Sequence, residues 1–166
     1  MIVIVRGPEK NAIVRKKSNV SGVWINRHSE FFGDIPGFYA VASSRPMEEI
    51  PKSAYFPLIG IGEDNVLGAS GTHESDIRND FRRALLRDMR ARRLYYQNAQ
   101  AFSLISETLF KTAIPFPDTT PPGLYTAEVY LVSDGEISAA HMTPIRVYKT
   151  GIDAAIYELA HQQPYM

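Results

Sequence analysis

Residues 121–148 read PPGLYTAEVYLVSDGEISAAHMTPIRVY. They divide into two extended arms, Leu124–Val132 and Ile137–Tyr148, around Asp134-Gly135. In the first arm Tyr125, Ala127, Val129 and Leu131 share one face, and Thr126, Glu128 and Tyr130 the other. A period of two is that of a half-buried strand. Asp-Gly supplies the left-handed pair of residues that a tight hairpin needs.

PPGLY also places a tyrosine at the head of a late strand, straight after a Pro/Gly corner. Immunoglobulin-like sandwiches use such a tyrosine to tie the chain where it crosses between sheets. The expectation is one domain, mainly β: an immunoglobulin-like β-sandwich with a helical insertion over about residues 47–98. The alternative is an α+β domain whose helix packs on one open sheet.

Outward from that hairpin the chain is β-rich at both ends. Over residues 1–46, Ile2–Arg6 and Ala12–Lys17 flank the turn residues Gly7-Pro8-Glu9-Lys10 and predict a hairpin. Val20–Asn26 (VSGVWIN) and Gly37–Ser43 (GFYAVAS) predict further strands, the latter bracketed by Pro36 and Pro46. Residues 99–149 add a strand at Thr108–Phe116 before the closing hairpin, and Gly151–His161 predicts a short helix within about residues 150–162.

Inside the insertion, Met47–Ile50 and Ser53–Leu58 predict helical turns. Ser75 can cap a helix running to about Leu94, with Ile77, Phe81, Ala84, Leu85 and Met89 as its apolar stripe. Its other face holds Arg78, Arg82, Arg83, Arg87, Arg90, Arg92 and Arg93. Such a face can grip anionic lipid or an acidic partner, or simply be solvated and laced by Glu74–Arg78 and Asp88–Arg92 pairs.

The charge total is neutral, with 18 Lys+Arg against 18 Asp+Glu. That disfavours a dedicated nucleic-acid binder and favours the solvated reading of the helix face. No cysteine is present, which excludes disulfides, thiolate metal sites and cysteine nucleophiles. No apolar run approaches the roughly 18 residues that span a bilayer, and MIVIV is too short for a signal-peptide core. The chain is therefore expected to be soluble as given. Opening in a strand and closing in a helix, it reads as trimmed at both ends.

No catalytic or nucleotide-binding motif occurs, so the chain is read as non-enzymatic, without cofactor or metal. Two clusters stand against this reading. His73, Glu74 and Asp76 precede the helix, where acids ordinarily serve its cap and dipole. His28, Glu30 and Asp34 lie in a predicted loop between two strands, whose ordinary state is solvated. Trp24, Phe38 and Tyr39 form an aromatic group for which core packing is favoured over exposure.

Four stretches carry a resemblance: VSGVWIN (20–26), FYAVASSRP (38–46), PPGLYTAEVYLVSDG (121–135) and VYKTGIDAAIYELAHQQP (147–164). Together they resemble an uncharacterised family of alphaproteobacterial transmembrane proteins. The resemblance implies a signal peptide, a periplasmic β-rich region and one transmembrane helix directly after a segment like YELAHQQP. It also implies an inner-membrane anchor beyond Met166, strands before Ile2, and a neighbourhood of sulfite/taurine-exporter-type permeases.

Three functions follow as expectations. The first is a membrane-tethered periplasmic accessory module for a permease, contacting it through Arg78, Arg82, Arg83 and Arg87 or the aromatics Trp24 and Tyr39. The second is a small-anion or solute-binding protein using Arg78, Arg82 and Arg45, whose guanidinium forks match oxyanions. The third is a hydrolase built on one of the two histidine clusters.

Overall fold

The computed structural model describes residues 1–68, 76–98, 102–106 and 109–149. The predicted helix over 150–162, the cap Ser75, and His73 with Glu74 lie outside the described residues.

The protein is mainly β with a helical insertion. Its strands are β1 (Ile2–Arg6), β2 (Glu9–Val20), β3 (Val23–Pro36), β4 (Tyr39–Ser43), β5 (Tyr95–Asn98), β6 (Phe102–Leu104), β7 (Phe110–Thr112), β8 (Gly123–Ser133) and β9 (Glu136–Val147). A five-stranded sheet runs β5-β4-β1-β8-β9, while β2-β3 and β6-β7 each form a two-stranded sheet. Only the β4–β5 pair in the large sheet is parallel. That parallel pairing requires a long crossover, and the insertion provides it, with a 3₁₀ turn at Met47–Glu49, α1 (Phe56–Ile59) and α2 (Asp76–Ala91).

The closing hairpin forms as its alternation predicts, with Asp134 and Gly135 both at positive φ. Tyr125 is fully buried, and its hydroxyl donates to Pro121 O at 2.5 Å, so the corner tyrosine does tie the PPG bend.

The predicted hairpin between Ile2–Arg6 and Ala12–Lys17 does not exist. Ile2 to Val5 are buried on both faces, as a central strand must be, and β1 lies between β4 and β8. Gly7 marks a crossing rather than a turn: its N–H donates to Phe38 O at 2.7 Å and Gly37 N–H to Pro8 O at 2.8 Å. A β-carbon on Gly7 would sit 2.9 Å from that of Phe38. The freed β2 pairs instead with β3 in a long arm. VSGVWIN is therefore no single strand, because Ser21 and Gly22, both at positive φ, turn the chain in its middle. Within the described part of the predicted Thr108–Phe116 strand, residues 109–116, the strand spans Phe110–Thr112.

Both faces of the large sheet are covered near its centre. On one, Tyr39, Val41, Ile2, Ile4 and Glu128 meet the 50–68 segment; Phe56 and Ile61 join them in the core. On the other, Phe38 packs against Phe116, Tyr96 and Tyr125. Helix α2 buries Phe81, Leu85, Leu86 and Met89 in the same core as Phe32 and Ile35 of β3. Ile77, expected on that stripe, is exposed. β9 is an edge strand, solvent-exposed along most of its length and carrying Pro144 within it.

Candidate functional site

β2 alternates between a side that packs on α2 and a side that faces solvent. Val14 is drawn inward against the core, and Arg15 and Lys17 are exposed. α2 runs beside this strand with Phe81 buried. The two elements enclose a groove of about 480 Å³, floored by Val14, Phe81 and Ala84. Arg15, Lys16, Lys17, Arg83 and Arg87 surround it, with Asp80 as its one carboxylate.

Asp80 is already engaged, to Arg83 at 2.6 Å and to Lys16 at 4.0 Å. The Arg83 hydrogen bond holds its carboxyl below the ordinary carboxylate range. Among the described residues, no carboxylate lies within ion-pair reach of Arg15, Lys17 or Arg87. The groove thus concentrates positive charge in a chain whose total is zero.

Of the arginines expected on the exposed helix face, only Arg83 and Arg87 line this groove. Arg78 pairs with Glu30 at 2.9 Å and lies over the Phe32 ring. Arg82 is not solvated: it is 6% exposed and donates to the carbonyls of Asp64 and Gly68. A guanidinium fork can serve two carbonyls at once. Arg45 is exposed on the loop after β4, away from the groove-lining residues. The structure therefore does not bring Arg45, Arg78 and Arg82 together.

The aromatic group divides. Phe38 and Tyr39 are fully buried, whereas Trp24 is 66% exposed, which corrects the core reading for that residue. Tyr39 is accordingly no contact surface. The His28, Glu30 and Asp34 cluster also disperses along β3: His28 sits opposite Lys16, Glu30 is held by Arg78, and Asp34 N–H donates to Asn11 Oδ1. Among the described residues no three His, Asp or Glu side chains stand close enough to hold a metal ion.

A second polar assembly, invisible in the sequence, lies under the insertion. Arg6 Nε pairs with Glu128 Oε1 at 2.8 Å, and Tyr130 Oη donates to Glu128 Oε2 at 2.9 Å. Arg6 Nη2 donates to Ile59 O at 2.6 Å, and Tyr39 Oη donates to Gly60 O and accepts from Gly62 N–H. The Arg6 and Tyr39 contacts to the 59–62 backbone fasten that segment to the sheet, with Glu128 and Tyr130 holding Arg6 in place, so this is a latch. A mixed cleft of about 560 Å³ adjoins it, with Phe56, Glu63 and Arg90 among its walls.

These tyrosines predict an alkaline limit to stability. Burial pushes the Tyr125 phenol up to about 12. Burial, then the hydrogen bond to Glu128 and its charge, does the same for Tyr130. Tyr39, Tyr95 and Tyr96 are raised further, chiefly by burial. Folded values above the unfolded 10.0 mean that the contribution is complete below about pH 10 and fades as pH rises through about 12. Urea midpoints should hold steady from about pH 8 to 9.5 and then fall, in step with phenolate absorbance. A midpoint that stays constant to pH 12 would contradict this assignment.

Among the described residues no helix is long and apolar enough to cross a membrane. No curated protein and no solved structure matches the chain. A family model described as "Putative transmembrane protein (Alph_Pro_TM)" matches residues 1–166. Since that match runs over every residue, the chain belongs to this family, Alph_Pro_TM.

Proposed function

We propose that this chain is the periplasmic β-rich part of a membrane-tethered protein and acts as an accessory module, docking an acidic segment of a membrane partner in the groove between β2 and α2. The observation that carries this reading is the groove itself, where Arg15, Lys17 and Arg87 stand without carboxylate partners among the described residues. Cations left unpaired beside an apolar floor fit an acidic peptide that also carries apolar side chains. The partner class suggested by the family's resemblance is an anion-exporting permease.

The test is a labelled acidic peptide with interspersed leucines, titrated against the full chain and followed by anisotropy. Binding should weaken at least about tenfold in the Arg83→Glu/Arg87→Glu variant and fall with added salt. Undiminished binding in that variant, or no binding at low salt, overturns the reading.

The groove's size also supports a second reading, a small-anion site. Calorimetry with sulfite, sulfate and taurine decides it: saturable heat that Arg87→Glu abolishes supports it, and no heat at millimolar concentration removes it.

A further inference from the structure

The β2–β3 arm ends in apolar side chains that no other described residue covers. Its two-residue turn, Ser21-Gly22, has φ of 52° and 88°, and Gly22 N–H donates to Asn19 Oδ1 at 2.8 Å. The register sets Val20 opposite Val23, Asn19 opposite Trp24 and Ser18 opposite Ile25. These apolar residues are open to solvent: Val20 39%, Val23 61%, Trp24 66% and Ile25 42%.

Turn geometry does not demand this composition. The β8–β9 hairpin closes on the same left-handed pair, Asp134 at 52° and Gly135 at 81°, and there the flanking residues are Ser133 and Glu136. The apolar tip of the first arm is thus a property of its sequence rather than of its fold.

Just below the tip lies a collar of cations. Arg15, Lys16 and Lys17 stand on β2, and Arg27 on β3 is the extra residue at a register shift between Lys16 and Lys17. Lys16 and Lys17, being consecutive, project to opposite faces of the arm, so the collar surrounds it. No Asp or Glu occurs between residues 10 and 29, although the whole chain is neutral. The turn begins only about four residues beyond Lys17, or roughly 13 Å at strand rise. That spacing suits apolar side chains seated roughly 5–10 Å into a headgroup boundary, with cations at the level of the phosphates. Tryptophan is also the side chain most at home in that boundary.

A second copy of the chain is a poor occupant, because two such collars would repel. A purely apolar protein surface would leave the collar unanswered. We infer that the tip of the β2–β3 arm inserts Val20, Val23, Trp24 and Ile25 into the interface of an anionic bilayer, with Arg15, Lys16, Lys17 and Arg27 on the lipid phosphates. The arm then holds the domain at a fixed attitude to the membrane, drawing on Arg15, Lys16 and Lys17 of the groove wall but on neither Arg83 nor Arg87.

Trp24 is the sole tryptophan, so its emission reports insertion directly. The full chain is mixed with phosphatidylcholine vesicles, with or without about a quarter phosphatidylglycerol. The expected result is a blue shift and co-sedimentation with the anionic vesicles alone. Val23→Ser/Ile25→Ser, outside the groove, should weaken partitioning at least about tenfold with an unchanged circular dichroism spectrum. Arg15→Gln/Lys17→Gln should remove the preference for anionic lipid. Arg83→Glu/Arg87→Glu, outside the tip, should leave the blue shift in place even where it abolishes peptide binding.

No shift and no co-sedimentation overturns the inference. So does partitioning that the Val23→Ser/Ile25→Ser variant retains in full, which would mean charge attraction without insertion. A blue shift produced by the acidic peptide and not by vesicles assigns the tip to a protein partner and overturns it as well.

Discussion

Replacing Arg6 with alanine is expected to cost about 3–5 kcal/mol of folding stability, the loss typical when one member of a buried ion pair is removed and the other is left behind. Arg6 ends β1 between Tyr39 of β4 and Thr126 of β8, so its guanidinium lies on the sheet face that meets the insertion. It is 22% exposed and Glu128 9%. Besides Glu128, it serves the carbonyls of Ile59 and Gly60 and lies over the Tyr39 ring at 5.4 Å. Alanine would leave Glu128 with Tyr130 as its one side-chain partner among the described residues, and would leave the carbonyl of Gly60, a left-handed helix cap at φ 66°, to Tyr39 Oη alone. Urea denaturation at pH 7 measures the loss, and hydrogen exchange should show residues 56–66 opening first. Arg6→Met combined with Glu128→Leu should recover most of the loss, because removing both charges leaves neither stranded. A cost below about 1 kcal/mol for Arg6→Ala would mean that the pair behaves as a solvated one.

The parts of this fold that the sequence disclosed are those fixed by neighbours along the chain. Asp134-Gly135 sets its own hairpin register, and Tyr125 ties a bend four residues upstream. β1 was misplaced because pairing is a long-range choice. Gly7-Pro8 carries the composition of a turn, yet the deciding fact is that Ile2 to Val5 are apolar on both faces and need two neighbours. The turn at Ser21-Gly22 was hidden for the opposite reason, since the strand-forming residues on either side make VSGVWIN look continuous.

The site was half legible in the same way. Helical spacing puts Arg83 and Arg87 on an outer face, but no local signal says that Arg15 and Lys17 of β2 will lie beside them. Arg82 could have been placed correctly. It falls with Leu85, Leu86 and Met89 at spacings of three, four and seven, the pattern of the buried stripe itself. Arg6 and Glu128 are 122 residues apart, and nothing short of the sheet order brings them together.

Truncating Phe38 to alanine should cost as much as breaking the latch, about 3–5 kcal/mol, through a different mechanism. Phe38 is fully buried on the sheet face away from the insertion. Its ring stacks on Phe116 at 4.9 Å and meets Tyr125 at 5.8 Å and Tyr96 at 6.0 Å. Its backbone carbonyl accepts the Gly7 N–H, so the ring stands where the β1 crossing closes and cannot be refilled by moving that strand. The cavity should therefore persist, which places the cost in the upper part of the range for large-to-small changes. Phe116 offers the internal control: it is 39% exposed, and Phe116→Ala opens a space that water already reaches. Its expected cost is about 1–2 kcal/mol. The two variants, compared by urea denaturation, test whether the 109–121 segment is a true second cover for the sheet. A negligible loss for Phe116→Ala beside a full loss for Phe38→Ala would mean that Phe38 is held by the sheet alone, and that the segment carrying Phe116 adds no enclosure of its own.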